Sequence, residues 1–178
     1  LEILKKSKIF LTQMETPDEV TIYSLKKAKE NKCLTILNPA PARKINEEHF
    51  ALLDFFTPNE TEAEFYLNNK ITSNEDIKIA GREFLKKGVK NIVITLGEKG
   101  VYFSNENEEY FIDALKLKDQ VVDTTGAGDA FNGAFAVGLA NGLKFKDALI
   151  FANKVAGIST TKAGAANSMP SLKEVNSY

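Results

Sequence analysis

The residue types that could do chemistry are concentrated in residues 123–135, where Gly126 and Gly128 precede a long apolar segment. Glycines followed by an apolar helical pattern indicate a helix start, which presents unpartnered backbone N–H groups and the positive end of the helix dipole. A helix start of this kind binds phosphate. Asp129 lies in the same turn, and its negative charge would repel a phosphate. The carboxylate is better suited to accept a proton from the group that attacks the phosphate.

The same run also has a purely structural interpretation. Asp129 could be a favourable charge near a helix N-terminus, worth about 0.3–1 kcal/mol, and Thr125 could be an ordinary N-cap. A capping box would then require Glu or Gln three residues later, where Gly128 stands. Glycine costs roughly 0.8–1 kcal/mol relative to alanine in a helix, whereas it suits a ligand that approaches the backbone closely. The pattern therefore favours phosphate binding.

Alternating strand and helix patterns surround this run. Strand patterns cover residues 9–14, 33–37, 52–57 and 91–96, and a hairpin pattern joins 101–103 to 110–112. Helical patterns cover residues 20–30, 61–67, 77–87, 130–140 and 145–158. Strands that alternate with helices predict an α/β fold with a mostly parallel sheet flanked by helices. Such sheets bind ligands at the carboxyl ends of their strands, where this chain carries Glu15, Asn38, Asn59, Thr95, Gly97 and Asp123.

Composition and charge exclude several classes of protein. The 178 residues suffice for one domain with a core, and 43% hydrophobic and 26% charged residues are ordinary for a globular protein. The net charge of −1 gives no electrostatic support to nucleic-acid or membrane binding. No segment is long and apolar enough to span a bilayer, and no signal peptide is evident. The single cysteine, Cys33, excludes an internal disulfide and favours a reducing compartment, so we expect a cytoplasmic protein.

Other catalytic and metal-binding patterns are missing from the sequence. Neither a GxxxxGK[ST] P-loop nor a dinucleotide-binding GxGxxG pattern occurs. His49 is the single histidine, and we expect it on the solvated surface. One cysteine and one histidine provide neither a zinc site nor a catalytic triad.

Five segments together resemble one family. Residues 123–135 resemble the C-terminal signature of the ribokinase-like (PfkB) carbohydrate kinases, and residues 57–64 resemble that family's N-x-x-E segment. Residues 13–15, 38–42 and 94–100 are similar to the ribose-phosphorylating members of the family. The similarity follows the same order over essentially the whole chain. It implies a ribokinase-like fold and ATP-dependent phosphorylation of a sugar primary hydroxyl, with D-ribose converted to D-ribose 5-phosphate.

The resemblance also implies roles for individual residues. Asp129 would be the catalytic base, and it would contact the sugar together with Glu15. The anion hole for the transferred phosphoryl group would be formed by Gly126, Ala127 and Gly128. The ATP site would include Asn59, Thr95, Gly97, Gly100, Gly128 and Asn153. Glu62 would act near Mg²⁺ through water.

A monovalent cation, K⁺ in this family, would accompany these groups. The matching positions are Asp123, Thr125, Ser159, Lys162, Gly164 and Ser168, several of them acting through backbone carbonyls. A fixed cation beside the anion hole would help to neutralise phosphoryl charge.

Structural alternatives exist for several of these positions. Asn59 could be a helix cap, Gly97 and Gly100 could be turn residues, Glu15 could be a turn residue, and residues 159–168 could be a surface loop. At the level of function, the sugar could be fructose or a keto-deoxy sugar acid, and a nucleoside could also be the substrate. A non-catalytic nucleotide- or phosphate-binding module is the alternative from another class of protein.

The chain departs from the family at its N-terminal side. Family members carry an N-terminal half with a Gly-Gly sugar-binding segment and a small β-lid, and these 178 residues contain neither. Because the chain also opens without methionine, we expect residues 1–178 to be the C-terminal nucleotide-binding and catalytic part of a single ribokinase-like domain. Full-length members would form homodimers through the lid. The isolated chain would bind nucleotide weakly and phosphorylate ribose poorly or not at all.

Overall fold

The computed structural model describes residues 2–178, which divide into two compact units. The first unit comprises the residues up to Leu96 together with Tyr102–Phe111, and the second comprises Gly97–Val101 and Ile112–Tyr178. Each unit is built around its own elements. None of the helices formed by residues 2–178 combines the length and apolar character that crossing a membrane requires.

A six-stranded sheet forms the centre of the first unit, with its strands side by side in chain order. The strands are β1 (Ile9–Thr12), β2 (Leu34–Leu37), β3 (Phe55–Phe56), β4 (Asn91–Thr95), β5 (Val101–Asn105) and β6 (Glu109–Ile112). Strands β1 to β4 are parallel, with Ile36 beside Phe55 and Leu37 beside Phe56. The connections from β4 through β6 are too short for a parallel crossover, so these strands run antiparallel. This architecture confirms the predicted α/β fold with a mostly parallel sheet.

Six α-helices accompany the sheet and the second unit. They are α1 (Asp18–Glu30), α2 (Glu60–Leu67), α3 (Asn74–Lys86), α4 (Ala127–Ala140), α5 (Phe145–Ser159) and α6 (Leu172–Ser177). Short 3-10 helices span Leu4–Lys6, Glu47–Leu52, Gly97–Lys99 and Ala166–Ser168. The first five α-helices match the predicted ones within a few residues, whereas α6 was not predicted.

The third strand is shorter than the sequence pattern indicated. Residues 52–57 were predicted as a strand, but only Phe55–Phe56 pairs in the sheet, because Glu47–Leu52 forms a 3-10 helix that packs Phe50 into the core. His49 lies in this 3-10 helix with a side chain that is 14% exposed. The expectation of a solvated histidine was therefore wrong.

The core of the first unit is aromatic. Phe56 is fully buried and makes edge-to-face contacts with Phe50, Tyr66 and Phe84, at ring-centroid distances of 5.4, 5.4 and 5.1 Å. Contacts of this kind add about 0.5–1.5 kcal/mol each to the free energy of burial. They hold α2, α3 and the 3-10 helix against β3, which fixes the position of the chain where it leaves that strand.

A buried carboxylate lies at the amino ends of the strands. The side chain of Asp54 is 5% exposed and accepts hydrogen bonds of 2.8 Å from both Lys29 and Lys90. Thr35 donates to the same carboxylate through its backbone N–H and its hydroxyl, at 3.0 and 3.2 Å. Burial opposes ionisation, yet these hydrogen bonds together hold the pKa of Asp54 below its ordinary value. We call these four residues the amino-edge cluster.

Close contact between α4 and α5 organises the second unit. A Cβ on Gly138 would lie 3.1 Å from the Cβ of Ala148, so glycine allows the two helices to approach each other. Phe131 and Phe135 stack along the buried face of α4, with ring centroids 6.2 Å apart. Because this face is buried, the N-terminus of α4 starts from a rigid support.

Candidate active site

Gly126 begins α4 in a conformation that favours glycine. Its φ is +76°, it is the N-cap residue, and no side chain caps the helix. A Cβ at this position would lie 3.0 Å from the Cβ of Ala165. Thr125 is therefore not the N-cap, and the alternative interpretation of Thr125 was wrong. The first turn of α4 is left without the side-chain partner that most helices use.

The first turn of α4 presents one glycine to open space. The amide of Ala127 donates to the carbonyl of Thr124 at 3.2 Å. Gly128 is exposed, and a Cβ built on it would meet no atom within 4 Å. An amide in the first turn of a helix has no acceptor within that helix. Of the three residues predicted to form the anion hole, Gly128 thus has the most accessible surroundings.

Asp129 follows directly in the same turn and is exposed. One turn further along α4, Asn132 is 4% exposed and donates from its side-chain amide to the carbonyl of Gly128 at 2.9 Å. A buried side chain therefore braces the turn that carries Asp129. The arrangement can present a phosphate-binding amide and a proton acceptor on neighbouring residues.

Asp123 organises the loop that leads into α4. One carboxylate oxygen accepts from the amide of Thr125 at 2.9 Å, and the other accepts from the amide of Gly164 at 2.8 Å. Hydrogen bonds from the Thr125 side chain, the Thr125 amide and the Gly164 amide lower the pKa of Asp123 to about 2. Three of the residues predicted around the monovalent cation are thus brought together.

The other predicted cation residues are held by local contacts. The hydroxyls of Ser159 and Ser168 donate to the carbonyls of Ala156 and Ala165, at 2.8 and 2.7 Å. The ammonium of Lys162 pairs with Glu174 of α6. An ammonium engaged in this way contributes no ligand, so Lys162 could act on a cation only through its backbone. Within residues 2–178, no group of three or more His, Cys, Asp or Glu side chains could hold a metal ion.

Gly97 and Gly100 enclose a tight turn after β4. The amide of Gly100 donates to the carbonyl of Gly97 at 3.1 Å. Both residues have a positive φ, +57° for Gly97 and +102° for Gly100. The turn-residue interpretation is therefore correct, and it does not exclude a role in nucleotide binding. Asn153, on α5, donates from its side-chain amide to the carbonyl of Asp113 at 2.7 Å.

In the first unit, Asn59 and Glu62 form a capping box at the start of α2. The Asn59 side chain accepts from the amide of Glu62 at 2.8 Å, and the Glu62 carboxylate accepts from the amide of Asn59 at 2.9 Å. The helix-cap interpretation of Asn59 is thus correct. Burial raises the pKa of Glu62, against the hydrogen bond from the amide of Asn59. A single carboxylate of this kind fits Mg²⁺, which keeps several waters and usually binds through one or two carboxylates and substrate phosphates.

The predicted strand-end residues of the first unit share one edge of the sheet. The amide of Thr95 donates to the carbonyl of Pro58 at 3.0 Å, and Asn59 forms a parallel bridge with Thr95. Glu15 is exposed in the segment that follows β1. Because β1 to β4 are parallel, Glu15, Asn38, Asn59 and Thr95 all follow carboxyl ends at the same edge.

Sequence reasoning missed Arg43, which ties two of these strand-end segments together. Its guanidinium donates to the carbonyl of Thr16 at 3.3 Å and lies 3.7 Å from the carboxylate of Asp18. Arg43 and Thr16 are 27 residues apart in the sequence, so no local pattern could have indicated the contact. Arg43 thereby holds the segment that carries Glu15.

Comparison with known proteins gives a consistent result. The family model described as pfkB family carbohydrate kinase matches residues 2–172. The ribokinase of Staphylococcus aureus is 40% identical over 167 residues, which cover 93% of this chain and 54% of that protein. A deoxyribokinase of Salmonella typhi is 34% identical over 178 residues, which cover 99% of this chain and 58% of that protein.

A solved structure shows the same relationship. The structure of Arabidopsis thaliana ribokinase complexed with ribose and ATP matches with a TM-score of 0.94 at 34% identity, covering 99% of this chain and 57% of that one. The chain spans about half the length of the curated relatives it matches.

Proposed function

Because the chain belongs to the pfkB family of carbohydrate kinases, we propose that it performs the nucleotide-binding and proton-accepting part of ATP-dependent sugar phosphorylation. The observation that carries this proposal is the first turn of α4, where the open glycine Gly128 is followed at once by the exposed carboxylate of Asp129. A purely anion-binding turn gains nothing from a carboxylate in that place, since two anions repel each other. A proton acceptor for an attacking hydroxyl has a reason to be there.

In the proposed mechanism, Asp129 accepts the proton of the sugar primary hydroxyl as the oxygen attacks the γ-phosphorus of ATP. The bond from that phosphorus to the β,γ-bridging oxygen breaks, and ADP leaves. The amides of Gly126, Ala127 and Gly128 stabilise the negative charge of the transferred phosphoryl group, and that of Ala127 shares its hydrogen between the phosphoryl group and the carbonyl of Thr124. Asn59, Thr95, Gly97, Gly100 and Asn153 orient the nucleotide, and Glu15 orients the sugar. Glu62 would hold Mg²⁺ through water, and Mg²⁺ supplies charge neutralisation of the phosphates. Asp123 and the backbone around it would hold a monovalent cation, which would supply further charge neutralisation.

We propose D-ribose as the sugar, because the relatives include ribokinases and a structure with ribose and ATP. Deoxyribose is the second candidate, since a deoxyribokinase is 34% identical over 178 residues. The two sugars differ by one hydroxyl. A panel of ribose, 2-deoxyribose and fructose, assayed with any longer gene product that contains these residues, distinguishes them by their kcat/KM.

The sharpest test of the base compares Asp129→Asn with Asp147→Asn. Both aspartates are the third residue of a helix, α4 and α5 respectively, and both are exposed. Both variants are made in a longer gene product that contains these residues. If Asp129 is the base, its amide variant there loses roughly 10²–10⁴-fold in kcat, while the dissociation constant of ATP changes by less than about twofold. Asp147→Asn leaves kcat unchanged.

Equal small losses of stability in the two variants, with turnover retained in both, would show that Asp129 is only a favourable helix-terminal charge. Calorimetric titration of the 178-residue chain with ATP and Mg²⁺ provides the second measurement. We expect weak binding, and an absence of binding at millimolar nucleotide would contradict the proposed function.

A further inference from the structure

Asn38 lies between two segments to which different functions have been proposed. It follows β2 directly and is 8% exposed. The segment after β1 carries Glu15, proposed to contact the sugar, and the segment after β3 carries Asn59, proposed to contact the nucleotide. These segments flank Asn38 on either side, because the strand order of the sheet is β1, β2, β3.

The side-chain amide of Asn38 is hydrogen-bonded to both segments. Its carbonyl oxygen accepts from the side-chain amide of Gln13 at 3.2 Å, two residues before Glu15. Its NH₂ group donates to the backbone carbonyl of Thr57 at 2.9 Å, two residues before Asn59. Asn38 is thus the acceptor in its bond with Gln13 and the donor in its bond with Thr57. A side-chain amide carries an acceptor oxygen and a donor NH₂ on separate atoms, so this one group can reach both partners.

The position of Asn38 is itself determined by the backbone. Its amide donates to the carbonyl of Thr12 at 3.0 Å, and the amide of Thr57 donates to the carbonyl of Leu37 at 3.0 Å. On the β1 side one more backbone bond follows, from the amide of Met14 to the carbonyl of Ala40 at 2.9 Å. The Asn38 side chain adds to these backbone bonds a link that reaches both neighbouring segments. A buried side chain in this place determines how the two segments leave the sheet.

We propose that Asn38 is a positioning residue that holds the Glu15 segment and the Asn59 segment in a fixed relation to each other. The inference rests on the proposed function for its kinetic consequence, whereas the bracing of the two segments is a property of the fold alone. Nothing in the proposed mechanism requires Asn38 to contact either substrate.

Two substitutions remove the hydrogen bonds one at a time. Asn38→Asp keeps an acceptor for Gln13 but loses the donor to Thr57, so we expect faster amide exchange in residues 57–62 and weaker ATP binding. Gln13→Leu removes the other bond, so we expect faster exchange in residues 14–16 and a higher KM for the sugar. Asn38→Leu removes both bonds and combines the effects. Outer partners of metal ligands commonly contribute 10- to 100-fold in affinity, and we expect roughly tenfold for Asn38 and Gln13 as outer partners of the proposed substrate-binding segments.

Thr35→Val is the matched control for these variants. Thr35 lies on the same strand, is fully buried, and makes its side-chain bonds at the other end of the sheet, with the carbonyl of Leu52 and with Asp54. It should lower the free energy of unfolding without changing exchange in either segment or the affinity for ATP. All variants are compared under conditions in which more than about 99% of each protein is folded.

Hydrogen–deuterium exchange followed by mass spectrometry decides the inference without any ligand. Segment-specific increases in the Asn38 and Gln13 variants, absent in Thr35→Val, support the bracing role. Increases confined to β2, or the same pattern in Thr35→Val, overturn it. If the parent chain does not bind ATP, the proposed function fails while the exchange result still decides the role of Asn38. If Asn38→Leu does not fold, the two single-bond variants still give the answer.

Discussion

Gly128 and Gly133 lie on the same helix, and a Cβ built on either would meet no atom within 4 Å. Neither residue has a positive φ. Alanine is therefore compatible with the fold at both positions, and Gly128 lies in the first turn of α4 whereas Gly133 lies in its middle. The pair allows the conformational effect of a glycine to be separated from its effect on a ligand.

We expect Gly128→Ala and Gly133→Ala each to stabilise the chain by up to about 1 kcal/mol, because alanine favours the helix. Only Gly128→Ala should weaken binding of ATP, by about tenfold, because a methyl group then stands where phosphate approaches the amide. Urea unfolding and calorimetric titration measure the two effects. Unchanged ATP affinity in Gly128→Ala would show that phosphate does not approach this amide.

Gly97 and Gly100 form a second informative pair, because they differ in how closely the backbone approaches them. Both need positive φ, but a Cβ on Gly100 would lie 2.0 Å from the carbonyl oxygen of Ile112, whereas one on Gly97 meets nothing within 4 Å. We expect Gly97→Ala to cost about 1–2 kcal/mol from the left-handed conformation alone. Gly100→Ala adds a backbone clash of about 1–3 kcal/mol. Denaturant midpoints that moved equally in the two variants would contradict the close approach.

At the scale of elements, two helices of the first unit begin with the same device. Asn59 and Glu62 form a capping box on α2, and Ser73 and Asp76 form one on α3. The two boxes should contribute similarly to stability. They differ in that the α2 box follows a strand end at the proposed ligand edge of the sheet.

Asn59→Ala and Ser73→Ala should each lower the free energy of unfolding by about 1 kcal/mol, the usual cost of a lost N-cap. Only Asn59→Ala is expected to weaken ATP binding. Thermal unfolding and nucleotide titration of both variants test this expectation. An equal effect of the two substitutions on ATP affinity would mean that Asn59 serves the helix alone.

Much of the element pattern could be predicted from the sequence because it has local causes. The apolar runs that became β2 and β4 and the helical spacing of α4 and α5 were sufficient to locate these elements. The 3-10 helix Glu47–Leu52 was missed because its one deeply buried side chain, Phe50, gives no periodic pattern.

The candidate site was predictable to a different extent. Asp129 and the glycines before it stand together in the sequence, so their proximity required no structure. The contacts of Arg43 with Thr16 and of Asn38 with Gln13 and Thr57 join residues 19 to 27 positions apart. Such contacts depend on strand order, which periodicity does not reveal.

At the scale of the whole molecule, acidic and basic residues nearly balance, with 24 Asp and Glu against 23 Lys and Arg. Most of the charges lie on the surface, where an ion pair contributes about 0–1 kcal/mol. The amino-edge cluster is the exception, since its carboxylate, Asp54, is 5% exposed and two lysines bind it. The net charge therefore predicts little about how the free energy of unfolding changes at acid pH, whereas the buried carboxylate of Asp54 predicts a specific loss.

The lowered pKa of Asp54 determines the sign of its pH dependence. Its contribution to stability is complete above the ordinary carboxyl pKa of about 3.9 and is lost as the pH falls through the lower pKa of the folded state. We expect Asp54→Asn to lower the free energy of unfolding by about 2–3 kcal/mol at pH 7. The difference from the parent chain should shrink as the pH falls below about 4.

Urea unfolding at a series of pH values measures this difference. Glu106→Gln, a change in an exposed loop, should shift stability by no more than about 0.5 kcal/mol at any pH. A constant difference between Asp54→Asn and the parent from pH 7 to pH 3 would show that the amino-edge cluster does not titrate as described.

The strands of the sheet lie in the same order in space as in the chain. Among the strands within residues 2–178, none is inserted between two that precede it, so each of these strands can be added to the one made just before it. Domains of this kind can begin to fold during synthesis, N-terminal part first. Every pairing among β1 to β4 is available once Thr95 has emerged. The parallel half of the sheet contains no residue of α4, so its strand pairing does not depend on the turn that carries Asp129.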